Sequence, residues 1–228
     1  MAAAPTAVLS SLALKGVLEK LRSTFEEAAG PLELRFDATR AILERLAQGA
    51  RADLLILTSD ALEDLRRTGE VTQVRALGSS GVGLAVRAGA AKPDIGSTEA
   101  LVRALLSADS VAHSKVGASG IYFSELLERF GISGKLKKRI VVEKGPVGRV
   151  VAAGEAEIGV QQLCELAPVP GIAIVGPLPQ PLQKLTHFSA GVAARASNRE
   201  SAKALMNLLT SEATRAAMLA GGMQPAAD

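Results

Sequence analysis

Short apolar runs alternate with amphipathic ones along almost the whole chain, and that alternation narrows the possible architectures more than any other feature. Asp53-Leu54-Leu55-Ile56-Leu57 has the length and apolar content of a buried strand, and residues 60–68 after it repeat apolar positions at helical spacing before Gly69. The same order reads at 4–9 with 12–28, where Leu14, Val17, Leu18, Leu21 and Phe25 share a helical face, and at 32–36 with 41–47. Three strand–helix units in succession imply a parallel sheet with helices on its faces. A Gly-studded extended run over 77–87 follows, in which glycines let a strand bend or cross between domains. A second series then predicts strands at 111–113, 139–142 and 158–161 and helices at 121–130 and 147–153. After a strand at 172–175 and an extended return over 185–194, two terminal helices are predicted at 200–209 and 211–220.

A length of 228 residues accommodates one large domain or two small ones. Glycine is frequent at 22 residues, aromatics make up only 3% and tryptophan is absent, a mix that suits helices packed closely on sheets. The net charge of +3 comes from 26 basic residues scattered among 23 acids. With no basic stripe and no aromatic-interleaved run, these charges read as solvated helix faces and nucleic acid is not an expected partner. The single Cys164 rules out an intramolecular disulfide and reads as a small apolar filler near a strand end. Metal-ligand spacing is missing, so neither a metal nor a cofactor is expected.

Met1 to Ala13 contains no basic segment followed by an apolar core and a cleavage site, and no apolar run approaches the ~18 residues of a spanning helix. The chain is therefore expected in the cytoplasm as the sequence stands, or in the periplasm if an export segment has been removed, and without membrane insertion.

Ligand chemistry is written most clearly between 117 and 162. Gly117-Ala118-Ser119-Gly120 is a small-residue turn running into a helix, and Gly145-Pro146-Val147 precedes another. Such starts leave backbone N–H groups bare, and the helix dipole draws anions toward them. The strand Ile158-Gly159-Val160 ends in the polar pair Gln161-Gln162. In open α/β sheets a ligand sits beyond the carboxyl ends of the strands. Those ends also include Ser10-Ser11, Ala38-Thr39-Arg40 and Thr58-Ser59.

Taken in order, several short motifs resemble the molybdate-binding proteins of ABC transporters and the wider group of two-lobed periplasmic binding proteins. They include Ser11-Leu12, Phe36-Asp37-Ala38-Thr39, Gly49-Ala50-Arg51-Ala52-Asp53-Leu54-Leu55-Ile56, Gly117 to Tyr122, Ala153-Gly154-Glu155-Ala156-Glu157-Ile158-Gly159-Val160, Leu208-Leu209-Thr210-Ser211-Glu212-Ala213 and Gly222-Met223-Gln224-Pro225. The resemblance implies an α/β fold of type II, with two parallel-rich sheets, flanking helices and a two-strand hinge. It divides the chain into a first lobe over 1–78, rejoined by 190–228, a second over 79–183, and a crossover at 184–189. It also implies a small anionic solute in an interdomain cleft and an ABC permease as a partner. The family's ligand positions fall at Ser11, with Ser10 beside it, at Thr39, and at Ser119, flanked by Ala118 and Gly120. Val147, Gln161 and Gln162 complete the expected set, with Gln162 standing where the family has a tyrosine.

Two departures favour a carboxylate over molybdate. Arg40 follows Thr39 at a usually small position and offers a planar fork suited to a carboxylate, or else pairs with Glu44 one turn on. Gln161 and Gln162 add amide donors. Aconitate isomerase is similar to this family too, and an isomerase moving the double bond of a small tricarboxylate is the alternative to a binder. Such chemistry needs a proton-carrying group; His113, Lys115 and Arg40 are the candidates, with His187 behind them. An effector-sensing regulator domain is a third class, disfavoured because no basic helix-turn-helix segment precedes the core.

Overall fold

The computed structural model describes residues 4–227. Met1 to Ala3, where the stretch read for export features begins, and Asp228 lie outside the described residues. In chain order the elements are β1 (Thr6–Ser11), α1 (Lys15–Lys20), α2 (Arg22–Ala29), β2 (Leu32–Asp37), α3 (Thr39–Ala47), β3 (Leu54–Thr58), α4 (Ser59–Arg67) and β4 (Val71–Arg87). Then come α5 (Thr98–Ser107), β5 (Val111–Ser114), α6 (Ala118–Arg129), β6 (Arg139–Val142), α7 (Val147–Ala152), β7 (Ile158–Gln162) and α8 (Leu163–Leu166). The last are β8 (Ile172–Pro177), β9 (Leu185–Ala193), α9 (Arg199–Leu208), α10 (Glu212–Ala220) and β10 (Gln224–Pro225). The chain forms two compact units, Met1–Ser79 with Thr186–Asp228, and Ser80–Leu185.

In the first unit β2, β1 and β3 are parallel and β9 runs antiparallel beside β3. Leu54 to Leu57 are all buried because both faces of β3 are covered. On one face, Ile42 of α3 and Leu62 and Leu65 of α4 pack on Leu9, Leu55 and Leu57. Each fully buried leucine contributes about 1.5–3 kcal/mol. A buried carboxylate locks the far end of this sheet. Asp53 Oδ2 accepts from Ala7 N at 2.8 Å, and its Oδ1 accepts from Ser197 N and Asn198 N at 2.6 and 2.9 Å, just before α9.

The second unit repeats the plan. β6, β5 and β7 are parallel, and β4 lies antiparallel between β7 and β8. α5 and α6 bury Leu101, Leu105, Phe123, Leu126 and Leu127 against Val82, Leu84, Val86, Val111 and Val160. On the other face α7 packs Val147 and Val151 on Ala112. A side chain at Gly159 would place Cβ 2.6 Å from Val151 Cγ2, so glycine there sets how closely α7 approaches the sheet.

Three expectations change. The helix predicted over 12–28 is a 3-10 turn at Leu12–Leu14 followed by α1 and α2, with a bend at Leu21. Arg22, first past the bend, ties α2 to β2 by donating to Leu32 O at 3.0 Å. The extended run expected from 77 begins at Val71, making β4 a 17-residue strand. α5, α8 and β10 stand outside the predicted series. Among the described residues no helix is long and apolar enough to cross a membrane.

Candidate ligand-binding site

In the first unit the expected ligand residues gather at the carboxyl ends of β1 and β2. Ser10 is fully buried and its Oγ donates to Ser11 O at 2.9 Å, which makes it a support for its neighbour. Ser11 ends β1 and precedes the 3-10 turn, yet its side chain caps nothing. Its Oγ is buried and, among the described residues, is the one buried side-chain oxygen or nitrogen without a hydrogen-bond partner. Native proteins rarely leave such an atom unsatisfied unless something else reaches it.

Thr39 opens α3. Its Oγ1 accepts from Thr58 N at 3.2 Å, which leaves the hydroxyl proton free to donate elsewhere. The N-cap Ala38 supplies no side-chain acceptor, and the first helical bond runs from Ile42 N to Ala38 O. The N–H groups of Thr39, Arg40 and Ala41 therefore lack intrahelical acceptors. Arg40 is exposed, with its Nε 3.2 Å from Glu44 Oε1. An exposed i,i+4 pair is worth only about 0.3–0.5 kcal/mol, so a ligand carboxylate can displace Glu44 readily.

The second unit offers a similar set at the end of β5. Ser114 Oγ accepts from Gly117 N at 2.9 Å and closes the turn into α6. The helix has no side-chain cap, and its first bond runs from Ile121 N to Gly117 O. This leaves Ala118, Ser119 and Gly120 as its open N–H groups. Ser119 is 2% exposed. At Gly120 an added Cβ would lie 1.9 Å from Ser114 O, so only glycine lets α6 rest on the strand end.

The start of α7 is engaged from within. Val147 N donates to Gln161 Oε1 at 2.7 Å, and Gln161 Nε2 donates to the Glu165 carboxylate. Gln161 is thus a bridge holding α7 to β7, and its amide is already committed at both ends. Glu165 is half-buried, but its carboxyl is desolvated. Burial pushes its pKa from 4.5 up to about 7, while the Gln161 hydrogen bond pulls the other way. Sequence reasoning passed over Glu165, although its spacing of four from Gln161 was there to be read. Gln162 is buried, opposite Val82 on β4.

Two of the proton-carrying candidates, His113 and Lys115, are engaged by neighbouring side chains. His113 is 1% exposed and packs on Phe123 with ring centroids 5.6 Å apart. Arg139 Nε donates to His113 Nε2 at 2.8 Å, which fixes the proton on Nδ1, 3.0 Å from Ser114 O. Burial first, then the Arg139 charge, hold its pKa below the ordinary value. With both nitrogens occupied, His113 is a neutral packing element. Lys115 is exposed and paired with Glu143 at 3.0 Å. Tyr122 donates to Leu182 O at 2.8 Å and carries Lys184 Nζ 4.9 Å above its ring, so it packs within the second unit. Cys164 is buried, as a filler would be.

Known proteins resemble this chain in sequence and in fold. A family model described as bacterial extracellular solute-binding protein covers residues 6–224. A protein from Pseudomonas sp named aconitate isomerase is 37% identical, over 96% of this chain and 87% of its own length. Among solved structures, the periplasmic molybdate-binding protein of Azotobacter vinelandii superposes with a TM-score of 0.77 at 18% identity, covering 96% of this chain and 98% of that one. The sulfate-binding protein SubI of Mycobacterium tuberculosis gives 0.73 at 15% identity, covering 98% and 87%. At such identities these structures speak for the fold, which is the α/β periplasmic-binding fold expected from the sequence.

Proposed function

We propose that this chain, which belongs to the family of bacterial extracellular solute-binding proteins, captures a small di- or tricarboxylate at the carboxyl ends of its strands. The observation that carries the reading is the Ser11 hydroxyl at the end of β1, buried and without a partner among the described residues. Beside it in the first unit stand the Thr39 hydroxyl and the open N–H groups of α3, and the first turn of α6 offers a second set. Neutral hydroxyls and amides of this kind suit an anion without demanding a metal. Arg40, held by an exposed surface pair with Glu44, adds the fork that favours a carboxylate over a tetrahedral oxyanion.

A second reading goes further, to an isomerase that shifts the double bond of such an acid. The relative named aconitate isomerase supports it, because its identity extends over nearly the whole of this chain. Binding is the step both readings share.

A thermal-shift and calorimetry series separates them. Citrate, the two aconitate isomers, molybdate and sulfate are each added to the protein, and every ligand that binds is then recovered and its isomers are separated. A ligand at ~100 times its Kd stabilises by about 2.7 kcal/mol. The expected outcome is such stabilisation by tricarboxylates and none by molybdate. Submicromolar molybdate binding with indifference to the acids overturns the carboxylate reading. Recovery of aconitate unchanged overturns the isomerase.

A further inference from the structure

Outside the residues already assigned, the first unit carries a cavity of about 530 Å³ lined by Ser59, Asp60, Gly78, Ser79, His187 and Phe188. His187 is exposed, and neither its ring nor the Asp60 carboxylate has a partner among the described residues. His187 contrasts in this with His113, whose nitrogens are both engaged.

Strand register relates this cavity to the ligand residues. Ser10 pairs with Ile56, so Ser11 stands level with Leu57, and Leu57 pairs with Ser189 of β9. Ser11, Leu57 and Ser189 therefore point to the same face, and His187, two residues before Ser189, points there too. This is the face covered by α3 and α4, where Leu9, Leu55 and Leu57 are packed. Between Ser11 and His187 lie two strand spacings, about 10 Å, and two residues along the strand, about 7 Å, or ~12 Å between backbones. Thr39 Oγ1 on Thr58 N and the Ser59–Ser189 hydroxyl pair at 2.8 Å fill the ground between them. Neither Ser11 nor Thr39 lines the cavity itself, and an acid anchored by one carboxylate at those two hydroxyls has to pass the Ser59–Ser189 pair to bring its carbon chain to the imidazole.

We propose that His187 is the group that carries the proton in an allylic shift on an unsaturated tricarboxylate held at Ser11 and Thr39. This rests on the isomerase reading above. The neutral imidazole takes a proton from the methylene beside a carboxylate. That C–H bond breaks, an N–H bond forms, and the freed electron pair moves into a new C=C bond while the old double bond becomes a dienolate. The imidazolium then returns a proton to the far allylic carbon, so no proton and no electron is gained or lost. Asp60, on the same cavity, supplies the negative charge that steadies the imidazolium.

The test uses cis- and trans-aconitate with the full chain and with His187→Asn and His187→Gln, checked for unchanged melting. Isomer ratio and deuterium uptake from D2O are followed by NMR, and affinity by calorimetry. Loss of a positioned proton carrier lowers rate by ~100-fold or more, so both variants are expected to bind aconitate within about threefold of the parent while isomerisation and deuterium uptake fall by that factor. An active parent with variants of equal rate overturns the role of His187 and leaves the isomerase reading standing. A parent that binds aconitate but neither isomerises it nor exchanges deuterium overturns both.

Discussion

At the scale of single residues, Ser11 and Glu165 are groups whose surroundings do not suit them until something changes. A buried hydroxyl without a partner costs about 1–3 kcal/mol. Ser11→Ala is therefore expected to leave the ligand-free protein as stable as before or more so, read by its melting point. The same change removes a hydrogen bond to a charged ligand, worth about 1.5–3 kcal/mol, and is expected to weaken carboxylate affinity some 10- to 150-fold by calorimetry. Weaker melting with unchanged affinity would make Ser11 a packing residue. Glu165 holds its proton in the native state up to about pH 7, whereas the unfolded chain releases it near 4.5. Stability from this group is accordingly greatest below pH 4.5 and declines as pH rises through 7. Glu165→Gln keeps an acceptor for Gln161 and is expected to flatten the dependence of unfolding free energy on pH across that window; identical slopes would refute it. Serine and threonine at strand ends were legible because they are short-range signals. The fate of His113 was not, since Arg139 reaches it from 26 residues away in sequence and on a different strand.

Elements were more legible than contacts. The buried run of β3 and the glycine–serine turn before α6 could be named from local chemistry, and both strand–helix series recur in the structure. α5 stands outside the predicted series although its signals are present: Ser97 caps it by accepting from Ala100 N at 3.1 Å, with Glu99 in the first turn. What local sequence could not supply is how near one element stands to another. Gly120 shows the difference, because its necessity comes from Ser114 O. Gly120→Ala forces α6 away from the end of β5 and disturbs the carbonyl that also meets His113 Nδ1. The expected loss is about 1–3 kcal/mol, the usual cost of overpacking, measured by denaturant unfolding. An unchanged midpoint would mean that the helix start shifts freely.

For the whole molecule, the recurring plan is three parallel strands with an antiparallel fourth, built once from each unit's own residues. The 17-residue strand β4 continues from the first unit into the second without a break in the chain. Whether the two units lose their structure together is a question of cooperativity, and the aromatic content provides the means to answer it. The chain has one tyrosine and no tryptophan. Tyr122 belongs to the second unit, where its hydroxyl meets Leu182 O. Tyrosine emission from this protein consequently reports a single spot, with no label added. Heating followed by emission and by far-ultraviolet dichroism is expected to give coincident curves if the chain melts as one body. An emission change that leads or trails the dichroism would assign the weaker half directly.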